Sequence, residues 1–451
     1  MENIKTKFVH SLTFKGMIIA SLTLLLLIPS VMIQGLIEER EIRNDETVLK
    51  INDKWSKAQT VCAPLLVIPY TKTWQGDDKK NAYIKEHKLY ITPKNLKINT
   101  KLLPEKRHYG IYKAILYKSD INLSGDFADI SNLKIENSIL HFDRSYIIIG
   151  VSDLRGITQN VYFKLNSTQM EATIGEGTSF EEEIEDQAAI DYGNWIATLD
   201  KIAGKTLTIP LKGIRKDNLQ FTCNLKLNGS SYIKFIPIGQ TTNVQISGAW
   251  QSPSFVGIFT PEYTIDNKQF EANWNILNFN RDIPDRWTDN DVTLLSNNAF
   301  GVNLIETADH YQQNMRSAKY AIIFILLTFV VFFFVEALTK KQIHFVQYLL
   351  VGFALILFYS LLLSISEQLG FGLAYLISSA STISLIGVYT YSVLKKYIPV
   401  TILVSVLTML YLFLYIILQI EDLALLIGSL FLFIILGIIM FVSNKVKWNK
   451  D

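Results

Sequence analysis

Few residues in this chain sit where they could do chemistry, and the clearest group lies in its most apolar part. Glu336 falls inside a long hydrophobic stretch, with His344, Gln347 and Tyr348 close behind it and Glu367 between two later apolar runs. An ionisable side chain in such a setting is expensive to bury as a charge, which makes it a functional candidate by default. The chemistry would be proton or cation handling, with Glu336, His344, Gln347, Tyr348 and Glu367 as a candidate polar network. A plainer alternative stands beside it. Glu336 lies near the end of its run beside Lys340 and Lys341, where it could serve as an ion pair or headgroup anchor. Tyrosine at a membrane boundary is ordinarily an anchor, and polar side chains between spans are ordinarily glue.

Elsewhere the residue types argue against catalysis. The sequence holds no His-Glu-x-x-His zinc motif, no Gly-x-Ser-x-Gly elbow and no Gly-x-x-x-x-Gly-Lys phosphate loop. No catalytic, cofactor-binding or metal-ligating set is therefore expected, and His87, His108, His141 and His310 are scattered singly. Asp153 with Arg155, and Arg281 with Asp282 and Asp285, read as charge-rich turns closed by local salt bridges, and Trp250, Trp274 and Trp287 as core or interface rather than sugar platforms. The acidic run at residues 180–199 reads as a solvated helical or loop insertion, since it lacks the Asp and Gly spacing of a calcium loop. The two cysteines, Cys62 and Cys223, leave two alternatives open: a disulfide, which an oxidising compartment permits, or buried free thiols. A formal net charge of +2 over 451 residues, with no basic face, gives no nucleic-acid reading.

The elements that must position these residues are membrane spans. About 20 apolar residues cross the hydrocarbon core, and the pattern supplies one such run near the N-terminus and five in the block 319–442. The expected layout is a cytoplasmic N-terminus at 1–15 and spans at 16–37, 319–338, 346–365, 369–389, 398–420 and 423–443. A large domain occupies 38–318, and a cytoplasmic tail 444–451. The first run continues past the length of a signal-peptide core without a small-residue cleavage pattern, so it reads as a retained anchor. Lys and Arg near span ends stay cytoplasmic. Lys5, Lys7 and Lys15, then Lys340 and Lys341, Lys395 and Lys396, and Lys445, Lys447 and Lys450 alternate with Glu367 and with Glu421 and Asp422 as six spans with both ends inside require. That order places 38–318 outside the cytoplasm, in the periplasm of a cell with two membranes. Gly370, Ala374 and Ser378, followed by Ser381 and Ser384, mark the fourth span as a packing helix.

Within the large domain, Val48, Ile51 and Trp55 carry a helical stripe that continues the anchor. Residues 63–70 are apolar on both faces and bounded by prolines, as in a buried strand. Val161, Phe163 and Leu165, and Leu219 through Leu227, alternate with polar residues at period two, the mark of half-buried strands. Asn228-Gly229 then suggests a hairpin turn. Strands without interleaved helices argue a β-sandwich or related all-β domain. The fold class is therefore a six-helix membrane bundle, one helix N-terminal and five C-terminal, plus a large extracytoplasmic, mainly β domain.

Several motifs carry a resemblance. They are Phe300-Gly301-Val302 through Asp309-His310-Tyr311-Gln312, and Arg316-Ser317-Ala318-Lys319-Tyr320-Ala321. Further along come Phe332-Phe333-Phe334-Val335-Glu336, His344-Phe345-Val346-Gln347-Tyr348, and Ser366-Glu367 through Gly370-Phe371 to Ala374-Tyr375-Leu376. Upstream lie Val151-Ser152-Asp153-Leu154-Arg155-Gly156, Phe235-Ile236-Pro237-Ile238-Gly239, and Trp250 with Pro253-Ser254-Phe255-Val256-Gly257. In this order, from about residue 55 to 396, the chain resembles the CreD family of bacterial inner-membrane proteins. The resemblance implies a multi-span envelope-integrity protein with a large periplasmic domain, tied in some bacteria to envelope stress and β-lactam responses. It brings no catalytic residues. The chain departs from the family at Cys62-Ala63-Pro64, where Gly-Pro is usual, and at Gln368, where a histidine is expected. The second departure weakens any proton relay at that position.

Two functions follow as expectations. One is a non-enzymatic inner-membrane envelope-integrity or envelope-stress protein, whose periplasmic domain binds an envelope protein, lipid or cell-wall component while the spans contact the bilayer. The other is a transporter or flippase-like protein with a polar path near Glu336.

Overall fold

In the computed structural model, which describes residues 12–75, 82–175, 206–211, 219–288, 295–304, 310–339, 341–420 and 423–444, the chain divides into two compact units. One comprises Met1–Glu46 with Ala308–Asp451, the other Thr47–Thr307. The acidic run 180–199 and the charged loop residues Lys5, Lys7, Lys340, Glu421, Asp422, Lys445, Lys447 and Lys450 lie outside the described residues.

The membrane unit is helical because its apolar runs can satisfy their backbone groups in lipid only within each segment. Helix α1 (Leu12–Trp55) begins it and continues as one helix through the stripe of Val48, Ile51 and Trp55. Helices α2 (His310–Lys319), α3 (Ala321–Thr339), α4 (Phe345–Leu369), α5 (Phe371–Leu394), α6 (Tyr397–Gln419) and α7 (Ala424–Ser443) follow the second unit. Among the described residues, five helices are long and apolar enough to cross a membrane. A sixth span arises if α2 and α3, bent by 45° where they meet, count as one. The interior is strongly aromatic: Phe358, Tyr359, Tyr375 and Tyr411 are buried together, and the Tyr375 hydroxyl donates to the Tyr411 carbonyl at 2.7 Å. On α5 the buried face runs through Ala374 and Ser378 to Thr382 and Ile386, leaving Ser381 and Ser384 exposed. Ser381 and Ser384 lie off this four-residue row, so the packing face continues from Ser378 through Thr382 and Ile386 and not through the two serines.

Among the described residues, the second unit is built on two sheets. The first holds ten strands, with the main path β14 (Pro253–Val256), β18 (Phe300–Leu304), β12 (Tyr232–Ile236), β1 (Gln59–Gln75), β6 (Tyr146–Val151), β10 (Leu207–Pro210) and β9 (Thr173–Ile174). Off that path, β2 (Ala82–Ile91) and β5 (Ser138–Leu140) pair with β1, and β17 (Arg286–Thr288) pairs with β2. The second has eight, in the order β15 (Glu262–Asp266), β16 (Gln269–Leu277), β13 (Thr241–Gly248), β3 (Pro93–Tyr109), β4 (Tyr112–Phe127), β11 (Leu219–Ser230), β7 (Tyr162–Leu165) and β8 (Thr168–Glu171). Residues 61–70 of β1 are buried throughout, as their two-sided apolar pattern requires of a central strand. Alternating residues of β11 and β16 point inward, and both sheets contribute to one hydrophobic core that includes Trp250, Trp274 and Trp287.

Asn228-Gly229 does not form the expected hairpin. Both residues stay inside β11, opposite Lys118 and Tyr117, and the chain turns at Ser231, whose φ is 59°. It then enters the other sheet, where β12 pairs parallel to β1 and antiparallel to β18. Gly229 is required for another reason: a Cβ there would overlap the Tyr117 ring and stand 2.9 Å from Gln59 Cγ.

The cysteines are free and buried. Cys62 on β1 of one sheet and Cys223 on β11 of the other form no disulfide. Burial pushes each thiol up to about 12, so both are neutral and unreactive in the folded domain.

Asp153 organises the start of the sheet unit. Its carboxylate accepts from the Lys57 N–H at 3.0 Å, the Arg155 N–H at 3.1 Å, and Arg155 Nε and Nη2 at 3.0 and 2.9 Å. Gln59 bridges the same turn, donating to the Asp153 and Asn228 carbonyls and accepting from Ser152 and from the Asp153 N–H. Burial alone would raise the Asp153 carboxyl, but the bonds from Arg155 and Lys57 outweigh it and lower it to about 2. A carboxylate held below its unfolded value near 4 stabilises the fold above that value and loses the contribution as pH falls toward 2. Asp153→Asn should therefore cost about 1–2 kcal/mol at pH 7, with the difference from wild type fading by pH 2.5. Thermal melts at the two pH values measure it, and an unchanged gap would show that the carboxylate charge is not what holds the turn.

Candidate functional site

Two carboxylates of the membrane unit are set into different surroundings. Glu336, near the end of α3, is buried. The Lys15 ammonium of α1 pairs with its Oε1, which also accepts from the Ile343 N–H at 3.0 Å, while Oε2 accepts from the Tyr348 hydroxyl at 2.9 Å. Each oxygen is thus engaged, by groups from α1, from the chain between α3 and α4, and from α4. Tyr348 is fixed in turn by the rings of Phe329 and Phe332. A buried charge needs a partner and further hydrogen bonds to be tolerated, and Glu336 has both. Nearby, the Lys341 ammonium donates to the Leu394 carbonyl and ties the chain before α4 to the end of α5.

His344 and Gln347 do other work. They form a reciprocal cap on α4: the His344 N–H donates to Gln347 Oε1 at 3.0 Å, and the Val346 N–H reaches His344 Nδ1 at 3.4 Å. This satisfies backbone donors that the first turn of a helix leaves open. The spacing of the two residues encodes a helix start.

Glu367 lies near the opposite end of α4. Nineteen residues separate it from Tyr348, about 28 Å at helical rise. Its Oε1 accepts from the Tyr311 hydroxyl at 3.3 Å, and Arg40 of α1 stands 3.9 Å from Oε2. Next to it, Ser366 accepts from Asn314 Nδ2 at 2.8 Å. The structure therefore joins Glu336 with Tyr348, adds Lys15, assigns His344 and Gln347 to a helix cap, and places Glu367 in a second cluster with Arg40, Tyr311, Asn314 and Ser366. Lys15 was legible only as a topology charge, because its partner lies 321 residues away. A single acid inside one apolar run and the lysine next to the start of another were the available signal.

The sheet unit offers a different kind of feature. All five residues of β15 are exposed, including Tyr263 and Ile265. Among the described residues β15 pairs only with β16 and ends its sheet. Tyr263 is propped by the Phe255 ring, 4.7 Å away between centroids. An edge strand presents unpaired backbone donors and acceptors to any chain that can lie alongside it. Among the described residues no three His, Cys, Asp or Glu side chains converge as a metal site would need.

A family profile described as Inner membrane protein CreD matches residues 11–449. The chain is also 32% identical over 432 residues to the Inner membrane protein CreD of Escherichia coli (strain K12), an alignment covering 94% of this chain and 91% of that protein.

Proposed function

The chain belongs to the CreD family of inner membrane proteins, and on that premise we propose that it is a non-enzymatic envelope-integrity protein whose sheet domain lies in the periplasm, both termini being cytoplasmic, and binds an envelope partner there. The observation that carries this reading is the edge of β15 that no described strand covers. Tyr263 and Ile265 give an extended segment of a partner protein an apolar surface, and the open backbone edge gives it hydrogen bonds, the pattern of recognition by strand addition. The helical bundle then acts as anchor. Two features support that division of labour: Glu336 is satisfied on both oxygens, and His344 and Gln347 are spent on a helix cap, which leaves the transport alternative without its expected path.

Complementation of a strain lacking the gene tests the division. Tyr263→Lys with Ile265→Lys puts charge on the edge and should abolish rescue of growth under envelope stress. Lys15→Met with Glu336→Met removes the ion pair as a unit and should leave rescue near the wild-type level. The reverse pattern would favour transport through the bundle.

A further inference from the structure

We infer that the cluster at the α2–α4 end of the bundle binds a phospholipid headgroup carrying a primary ammonium, with the ammonium held by Glu367 and Asn314 and the phosphate by Arg40. The contrast between the two membrane carboxylates is the starting point. Glu336 is closed by bonds on both oxygens, whereas among the described residues Glu367 has only a long hydrogen bond from Tyr311 at 3.3 Å and a loose approach of Arg40 at 3.9 Å. Beside it is a buried polar atom that makes no hydrogen bond among the described residues: Asn314 Oδ1, on a side chain that is 1% exposed and that sits against Ser366, the neighbour of Glu367. An unsatisfied polar atom at such depth is costly, and a ligand that supplies N–H donors removes the cost.

The chemistry available selects that ligand. Asn314 Nδ2 is already committed to the His310 carbonyl and Ser366, so its free atom is an acceptor. With the Glu367 carboxylate, it asks for a cationic group with several N–H bonds. Arg40 is partly exposed beside this acceptor group and asks for an anion. A positive and a negative protein group a few ångströms apart complement a zwitterion of matching size. Position makes it a lipid. Arg40 stands just past the apolar run of α1 and Glu367 two residues from the end of α4, the level at which a span leaves the hydrocarbon core. The spans below them present exposed apolar side chains such as Met32 and Leu361, suited to acyl chains.

Native mass spectrometry of the full-length protein, released from micelles containing defined lipids, tests the assignment. Phosphatidylethanolamine should be retained about tenfold more strongly than phosphatidylcholine of the same chains, since the trimethylated head offers no N–H. Phosphatidylglycerol should match the weaker lipid. Glu367→Gln should erase the preference. Arg40→Gln, a substitution at a partly exposed site that leaves the core untouched, should weaken retention of phosphatidylethanolamine severalfold. Equal retention of the ethanolamine and choline lipids, a preference that survives both substitutions, or displacement of the lipid by free ethanolamine at equal concentration would each overturn the proposal.

Discussion

Lys15→Met lowers the stability of the membrane unit by about 3 kcal/mol. The substitution leaves the Glu336 carboxylate buried and facing only Tyr348 and the Ile343 N–H, and a buried charge stripped of its partner is far costlier than the pair was worth. Glu336→Met alone costs less, because Lys15 retains some exposure and can turn toward the headgroups. Lys15→Met combined with Glu336→Met recovers most of the loss, as apolar replacement of a buried pair commonly does. Thermal unfolding of the four proteins in one detergent gives the coupling energy directly. Additive losses in the double variant would mean that the two side chains do not meet.

Gly301→Ala should unfold the sheet unit at physiological temperature or leave it weaker by about 3 kcal/mol or more. Gly301 lies in β18 directly against β12, and a Cβ there would overlap the Ile233 carbonyl oxygen and stand 2.8 Å from Lys234 Cα. Both are backbone atoms of the neighbouring strand, which cannot yield without parting the ladder that also holds β1. Gly110→Ala is the control. That glycine has φ of +61° at a hairpin tip with nothing within 4 Å of the added carbon, so only the conformational strain of about 1 kcal/mol applies. Denaturant melts should separate the two by at least the difference, and equal effects would remove the close approach of β18 to β12 as the cause.

The elements were more legible in the sequence than their partners. Apolar length pointed to the long helices, because a bilayer imposes that length on any helix that crosses it, and the two-sided apolar pattern of 63–70 pointed to a buried strand. Local signals also had local limits. Asn228-Gly229 carries turn propensity, yet in β11 the glycine serves the Tyr117 ring and the chain changes sheet at Ser231, because a dipeptide encodes backbone freedom and not strand partners. His344 and Gln347 stood beside Glu336 in sequence, but their spacing of three belongs to the start of α4. The bend between α2 and α3 was hidden because α2 is too polar to register as part of a span, although Asn314 and Ser317 are buried. Lys15 and Arg40 partner Glu336 and Glu367 across hundreds of residues, and no periodicity reports a contact of that kind.

Photocrosslinking from the sheet domain in living cells tests the proposed function most directly. A benzophenone amino acid at position 263, on β15, and another at position 268, in the exposed turn that follows it, would be activated in the full-length protein and the products identified by mass spectrometry. The account predicts a discrete adduct with one envelope protein from position 263, lost when Ile265→Lys is added and retained in the Lys15→Met, Glu336→Met background. Adducts only with cytoplasmic proteins would contradict the orientation, and the absence of any adduct from either position would contradict partner binding at this edge.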